Sequence, residues 1–468
     1  MSVVIWWIRR IIRLDDNPVL KAALERGLPV LPVYIFDPDL FKVDMRRTDF
    51  LLRAVRGLDE ELHAIGSALL TMYASIEDVF NLLSAQLNIV QIVTEQEVTL
   101  LGKTYEKKLV SIAPLKTIQA VTVYNPDQVR KPDGSPYRKY TAYRNTWIKL
   151  DLPDEVSYQL SGKFLPNTPA ITMPFPSFPP VKGVIDSFSS KNAQNILDSF
   201  LSGAIKDYEN LRNRIDLDDT SHCSHLFRFG LLSPRKTVKC VQNLLLENNN
   251  PKECSGYQTW LNELIWREFF NHLMDSYKSS EERFANKDGS NVQWRESRSE
   301  LNAWQDGMTG YPLIDAAMRQ LRQTGWMPNR ARMVVASFLV KDLFLWWHHG
   351  ERWFMKHLAD GDPAANHGNW QWAAGIGTDA APFFRIFNPI TQSKKYDPQA
   401  NYIRSWLPEL AKVKTVSIHE PWKMDIQEQI HTHCRIGKAY PAPLVMHETA
   451  RIRALELFRK RDRGRRDD

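Results

Sequence analysis

The apolar pattern changes period partway along the chain, and that change limits the fold more than any single motif. Over residues 1–130, short apolar runs recur between amphipathic stretches: VVIWWI, VLPVYIF, ALLTMYA, NIVQIVT and QAVTVY. Runs this short and apolar read as buried strands of a parallel sheet, and strands alternating with helices indicate a doubly wound α/β domain. Helices are expected over 48–65 and 75–87. The second opens on Ser75-Ile76-Glu77-Asp78, a capping-box start with Asp in place of Glu or Gln. From about residue 190 the period becomes 3.6, as in GYPLIDAAMRQLRQTGW and ARMVVASFLVKDLFLWW. The intervening 151–183 stretch carries Pro153 and the prolines from Pro166 to Pro180. Each removes a donor and fixes φ, so a surface connector is expected there. The expected architecture is α/β plus all-α: a Rossmann-like, doubly wound parallel-sheet domain over 1–130, a connector over 131–190, and an all-helical domain over 191–468.

Composition narrows the function classes. At 43% hydrophobic residues the 468-residue chain can bury a large core and is not a disordered polymer. The net charge of +7 suits a polyanionic partner such as nucleic acid, but on charge alone a mildly basic solvated surface is the plainer reading. Cys223, Cys240, Cys254 and Cys434 form no C-x-x-C pair, which argues against a zinc site or disulfide framework and fits a reducing cytoplasm. No apolar run reaches membrane-span length, and SVVIWWI lacks the basic flank of a signal peptide. No G-x-G-x-x-G follows any expected strand, so ordinary dinucleotide binding by the first domain is not supported. The terminal RKRDRGRRDD reads as a solvated basic tail.

Long consecutive motifs appear in the second half: ELIWREFF, TGYPLIDAAMRQL, GWMPNRARM, DGDPAANHGNWQW and GTDAAPFFRIFNP. Together, and in this order, they resemble the photolyase/cryptochrome family, most closely its bacterial-type cyclobutane pyrimidine dimer photolyases. The resemblance spans the chain from WWIRRIIRLDDNP to the last helices. It implies that the helical domain binds FAD and that light drives repair of damaged DNA. An electron from reduced FAD would split a flipped-out pyrimidine dimer and then return, with no net redox change. The rival within the family is a cryptochrome-type blue-light receptor without repair activity.

The resemblance also assigns residues. Tyr208 and DDTSHCSHLFRFGLLSPR match the flavin phosphate-binding segment, where Thr220, Ser221 and Ser224 supply hydroxyls and backbone N–H groups. Without that context a Ser/Thr helix cap is the plainer reading. Asp219, His222 and Cys223 stand where the family usually has Gly, Arg and Leu. Asn366 falls on the position facing flavin N5, Arg332 and Asp360 on an ion pair beside the flavin, and Trp260, Asn329 and Asp362 on other flavin-pocket positions. Glu263 and Trp266 lie three apart on one helix face and match the residues that contact the dimer, with Trp372 as a second stacking wall and Asn329 and Met333 at its border. Trp370, Trp347 and Trp294 match an electron-transfer triad; by themselves, three of fifteen tryptophans would read as core.

Arg212, Arg267, Arg330, Arg385 and Lys395 match or border phosphate-facing positions. Recognition of ultraviolet-damaged DNA is therefore expected to follow structure and not sequence, by a monomer without membrane attachment. The antenna region departs from the family. Ile8 precedes Arg9-Arg10, Ile11-Ile12 replace Asp-Leu, and VTEQEVTLLGKTYEKKL places Thr94, Val98, Leu100 and Leu101 where polar partners usually stand. A folate or deazaflavin antenna would lose part of its pocket here, and no second chromophore is assigned.

Overall fold

A computed structural model describes residues 2–38, 45–165, 188–277, 292–377, 379, 382 and 384–464. Most of the proline run and the end of the basic tail lie outside the described residues. The chain divides into two compact units, Met1–Asp207 with Ser221–Ser280, and Tyr208–Thr220 with Glu281–Asp468.

The first unit is built on a five-stranded, wholly parallel sheet in the order β3-β2-β1-β4-β5. The strands are β1 (Ser2–Ile8), β2 (Val30–Ile35), β3 (Leu70–Met72), β4 (Asn88–Glu95) and β5 (Leu115–Ile118). Val3, Ile5 and Trp7 of β1 join Leu31, Val33 and Ile35 of β2 in one core, with Ile76, Val79, Phe80 and Leu83 of the Ile76–Gln86 helix packed among them. Val4, Trp6 and Ile8, on the other face, are equally buried. Burial on both faces explains why β1 is continuously apolar and not alternating. Order reverses between β1 and β4, where Glu95 at the end of β4 accepts the N–H groups of Arg9, Arg10 and Ile11. Arg9 also reaches Glu106 at 2.8 Å. Glu106 also accepts the Glu97 N–H at 3.0 Å, so the two segments that depart from the family motif meet at this carboxylate.

Four of the five expected strands form, the one read from ALLTMYA only over Leu70–Met72. The fifth does not: β5 is Leu115–Ile118, and Gln119–Tyr124 lies beyond it without strand pairing. The physical reason is a competing acceptor. Val123 N–H donates to the buried Glu268 carboxylate at 2.5 Å, the Thr122 hydroxyl to Tyr124 O, and the Tyr124 hydroxyl to Leu150 O. The Met45–His63 helix starts three residues early and stops two short, with Gly66 at φ 78° just beyond. Ser75 caps the next helix by accepting from Asp78 N–H, and Asp78 takes the Ser75 hydroxyl instead of reaching back to the backbone.

The first unit also holds the Pro251–Ser276 helix, opened by Asn250 and Pro251. A Cβ on Gly256 would stand 2.3 Å from the Ile205 carbonyl, so glycine is what allows this helix to approach the Ala204–Asp207 turn.

The second unit is helical. The Pro312–Thr324, Asn329–Ser337, Trp347–His357 and Pro363–Ala374 helices surround one apolar cluster, from Met318 and Leu321 to Trp347 and Trp370. The segment ARMVVASFLVKDLFLWW does not run through as one helix. It passes into a π-helical turn over Phe338–Asp342, Phe344 takes φ 58°, and helix resumes at Trp347. Arg295 holds the break by bonding the Leu343 and Phe344 carbonyls, which a continuing helix would use itself.

Candidate functional site

In the helical unit the site is organised by the Pro363–Ala374 helix. Asp362 caps it by accepting from Ala364 and Ala365 N–H at 3.0 and 3.1 Å, and Gly375 ends it in the left-handed region. Residues 366 and 370 fall on one face at i, i+4, whereas 372 points about 200° away from 370. Burial follows the geometry: Trp370 is 2% exposed, while Trp372 is half-buried. Gly350 makes this packing possible, because a Cβ there would lie 2.0 Å from Trp370 Cη2.

Asn366 is buried, and its Nδ2 donates to the Glu351 carbonyl at 3.0 Å. That bond orients the amide and leaves its oxygen as an acceptor. Asp360 and Arg332 form a two-pronged pair, Nη1 to Oδ1 at 3.2 Å and Nη2 to Oδ2 at 2.9 Å, while Arg332 Nε donates to Met327 O. Asp360 is only 8% exposed, so losing Arg332 would strand the carboxylate away from water. An acceptor oxygen, a fixed cation and a caged carboxylate make a donor set that fits a flavin ring with its N–H and carbonyl edges.

Trp347 and Trp370 lie inside one apolar cluster, with Trp294 and Trp372 packed against it. Trp370 meets Trp304 and Phe354 edge-on, and Trp294 rests on Phe344 at 5.1 Å with its indole N–H buried and unpartnered. Asn329 opens its helix and is exposed; Met333, one turn on, is half-buried. Tyr208 is buried and Thr220 half-buried in a loop.

The expected phosphate contacts separate into two kinds. Arg330 is committed to Asn213 Oδ1 at 2.8 and 3.0 Å and lies 4.7 Å over the Tyr396 ring. Burial lowers its pKa; Tyr396 opposes that, and the positive charges of Arg212 and Arg385 add to it. Arg385 and Lys395 are exposed, with Lys395 Nζ 5.4 Å over Tyr396. These residues make a cationic surface within the helical unit.

In the sheet-bearing unit, Glu263 and Trp266 are both half-buried on the Pro251–Ser276 helix. Tyr140 stacks flat on Trp266, with ring centroids 3.6 Å apart and an interplanar angle of 5°; its hydroxyl donates to Asn262 O. Trp260 is buried against Phe200. Arg267 donates to Val121 O and Phe227 O, so its guanidinium braces the fold. Ser224 starts a helix of only five residues with Cys223 at its cap, and His222 takes φ 49°. Cys223 is buried, which pushes its thiol up to about 12, and the Ser221 hydroxyl accepts its N–H.

Sequence reasoning missed Tyr140, Gly350, Glu351, His348 and His367. None belongs to a repeating pattern, and each acquires its place only through packing between helices.

Two family descriptions match the chain: DNA photolyase over residues 4–159 and the FAD binding domain of DNA photolyase over 260–460. A deoxyribodipyrimidine photo-lyase of Escherichia coli is 36% identical over 99% of this chain and 100% of its own length. One from Vibrio cholerae is 34% identical over 97% and 98%. Among solved structures, a bacterial class III photolyase from Agrobacterium tumefaciens superposes with a TM-score of 0.86 at 32% identity, covering 99% and 98% of the two chains. A Synechocystis cryptochrome gives 0.87 at 31%, covering 98% and 99%. These likenesses define a photolyase-fold flavoprotein, with a parallel-sheet DNA photolyase region and a helical FAD-binding domain. The chain belongs to the photolyase/cryptochrome family.

Proposed function

We propose that the protein is a light-driven DNA repair enzyme acting on cyclobutane pyrimidine dimers. The observation that carries this reading is the Glu263–Trp266 pair with its Tyr140 backing. A hydrogen-bonding carboxylate and an indole with one face braced from behind suit the two linked pyrimidines of a dimer flipped out of the duplex. When bound, reduced FAD supplies the photoexcited electron that opens the cyclobutane ring and takes it back afterwards. Glu263 would hydrogen-bond the dimer, and Trp266 and Trp372 would offer indole faces to its rings. The Asn366 oxygen would accept the N–H at flavin N5, while Arg332 and Asp360 would set the charge beside the ring. Trp370, Trp347 and Trp294 would return electrons to a flavin that has become oxidised. The full-length likeness to relatives named deoxyribodipyrimidine photo-lyase supports this reading.

Arg212, Arg330, Arg385 and Lys395 would hold phosphates, so binding should follow lesion shape and weaken with salt. Among the described residues, no helix is long and apolar enough to cross a membrane. We read the enzyme as a cytoplasmic monomer with domains over 1–130, 131–190 and 191–468; its four free cysteines fit a reducing compartment.

The test is dimer loss in ultraviolet-irradiated oligothymidylate under blue light, with chemically reduced flavin. Light-dependent loss that falls at least tenfold in Glu263→Ala, with flavin content unchanged, is expected. A flavin-loaded protein with no light-dependent loss would instead support the receptor reading, which the likeness to a cryptochrome keeps in view.

A further inference from the structure

The Trp347–His357 helix carries a buried acid–base cluster that none of the roles above uses. Glu351 is held between two histidines: Oε2 lies 2.5 Å from His348 Nδ1, and Oε1 lies 2.8 Å from His367 Nδ1. Exposure is 6% for Glu351, 5% for His348 and 1% for His367. On its far side His367 Nε2 meets Gln371 Nε2 at 3.0 Å. The His348 ring stacks on Trp347, with centroids 3.9 Å apart and 25° between planes, and meets the half-exposed Trp346 edge-on at 4.7 Å. His367 lies 5.4 Å from the same Trp347 ring. Burial alone would raise the Glu351 carboxyl, but hydrogen bonds from His348 and His367, and their charge, outweigh it and hold it down to about 2. The carboxylate therefore stays ionised at working pH. The charge of the cluster is set by its imidazoles, from −1 with both neutral to +1 with both protonated.

Among the described residues, two charged groups on the neighbouring turn have other partners. From the Phe338–Asp342 turn, Lys341 bonds Ala374 O and Asp342 bonds His447. On the same helix His349 lies near Arg352, with Glu296 acting on it from the segment before the Arg298–Asp306 helix and Arg298 from that helix's first residue. From the Pro363–Ala374 helix, the titratable group facing Glu351 is His367.

We propose that His348 is a positioning residue that tunes Trp347 as an electron relay, so that electron flow to the flavin depends on the protonation of this imidazole. The proposal rests on the reading of Trp347 as a relay. When Trp347 gives one electron to oxidised Trp370, its indole carries a positive charge until Trp294 returns one. An imidazolium stacked on that indole opposes the charge, whereas a neutral imidazole backed by the Glu351 carboxylate favours it. His348 itself is neither oxidised nor reduced, and the net electron comes from an external thiol. Flow is therefore fast with the imidazole neutral and slow with it protonated.

The experiment is blue-light photoreduction of oxidised FAD in the holoprotein, with an added thiol, from about pH 5.5 to 8.5. The wild type should slow by about tenfold toward the acid end. His348→Phe, which keeps a stacked ring without a proton, should stay fast and flat across the range. His348→Gln serves the same purpose if the Phe variant loses flavin. A pH step that persists in either variant overturns the proposal, as does a flat wild-type profile. Trp347→Phe separates the two layers: if it leaves photoreduction unchanged, the relay reading itself fails, whereas a slow Trp347→Phe with a flat wild type removes only the tuning.

Discussion

The Tyr140 ring lies flat against the Trp266 indole, 3.6 Å between centroids and 5° from parallel, although the two residues are far apart in the chain. The Tyr140–Trp147 helix thereby buttresses a side chain assigned to the substrate. Stacked aromatic pairs contribute about 0.5–1.5 kcal/mol beyond burial. Tyr140→Ala should therefore weaken binding to irradiated oligothymidylate by roughly fivefold. Tyr140→Phe should bind like wild type, and titration by fluorescence anisotropy distinguishes the two.

Gly350 and Trp370 give a second prediction. A methyl on residue 350 would overlap the indole at 2.0 Å, so Gly350→Ala must displace either Trp370 or the helix. Overpacking of this kind costs about 1–3 kcal/mol. The variant should melt lower and photoreduce oxidised flavin more slowly. Once its flavin is reduced chemically, repair should recover, as it should in Trp370→Phe.

The Arg332–Asp360 pair predicts cofactor retention. Asp360→Asn keeps the shape but leaves the Arg332 guanidinium, now half-buried, without its carboxylate. Removing one partner of such a pair costs about 3–5 kcal/mol when burial is complete, and less here. The expected result is purified protein with a lower ratio of flavin to protein absorbance; an unchanged ratio would remove the pair from the flavin site.

His272 predicts an acid-sensitive fold. Its ring is 1% exposed, and burial lowers its pKa to about 4, with Arg130 pushing the same way. A base depressed in the folded state supports folding above its unfolded pKa near 6.5, and that support is lost as pH falls toward 4. The window is worth about 3 kcal/mol. Thermal melts between pH 7 and pH 4 should show a steeper decline for the wild type than for His272→Phe.

Much of the architecture was legible because periodicity reports burial on one element at a time. β1 to β4 and the helices starting near 45 and 76 follow from apolar runs and a cap, all local properties. Gln119–Tyr124 did not follow, because its apolar pattern suits a strand while Glu268, distant in sequence, takes the N–H that a strand would offer. The break after Phe338 escaped for the same reason: Arg295 claims carbonyls that the local sequence would place inside a helix.

The sequence by itself determined the family and the sheet-then-helix order, and it supplied the proposed roster of Asn366, Glu263, Trp266 and the three tryptophans, since these are written in consecutive motifs. Only the tertiary structure decided how they are held. It separates Trp370 from Trp372 across one helix, aims the Asn366 amide by the Glu351 carbonyl, backs Trp266 with Tyr140, and lays His348 on Trp347. Motif spacing gives direction along a helix, but which side chain meets it from another helix depends on close approach, and that is set by packing.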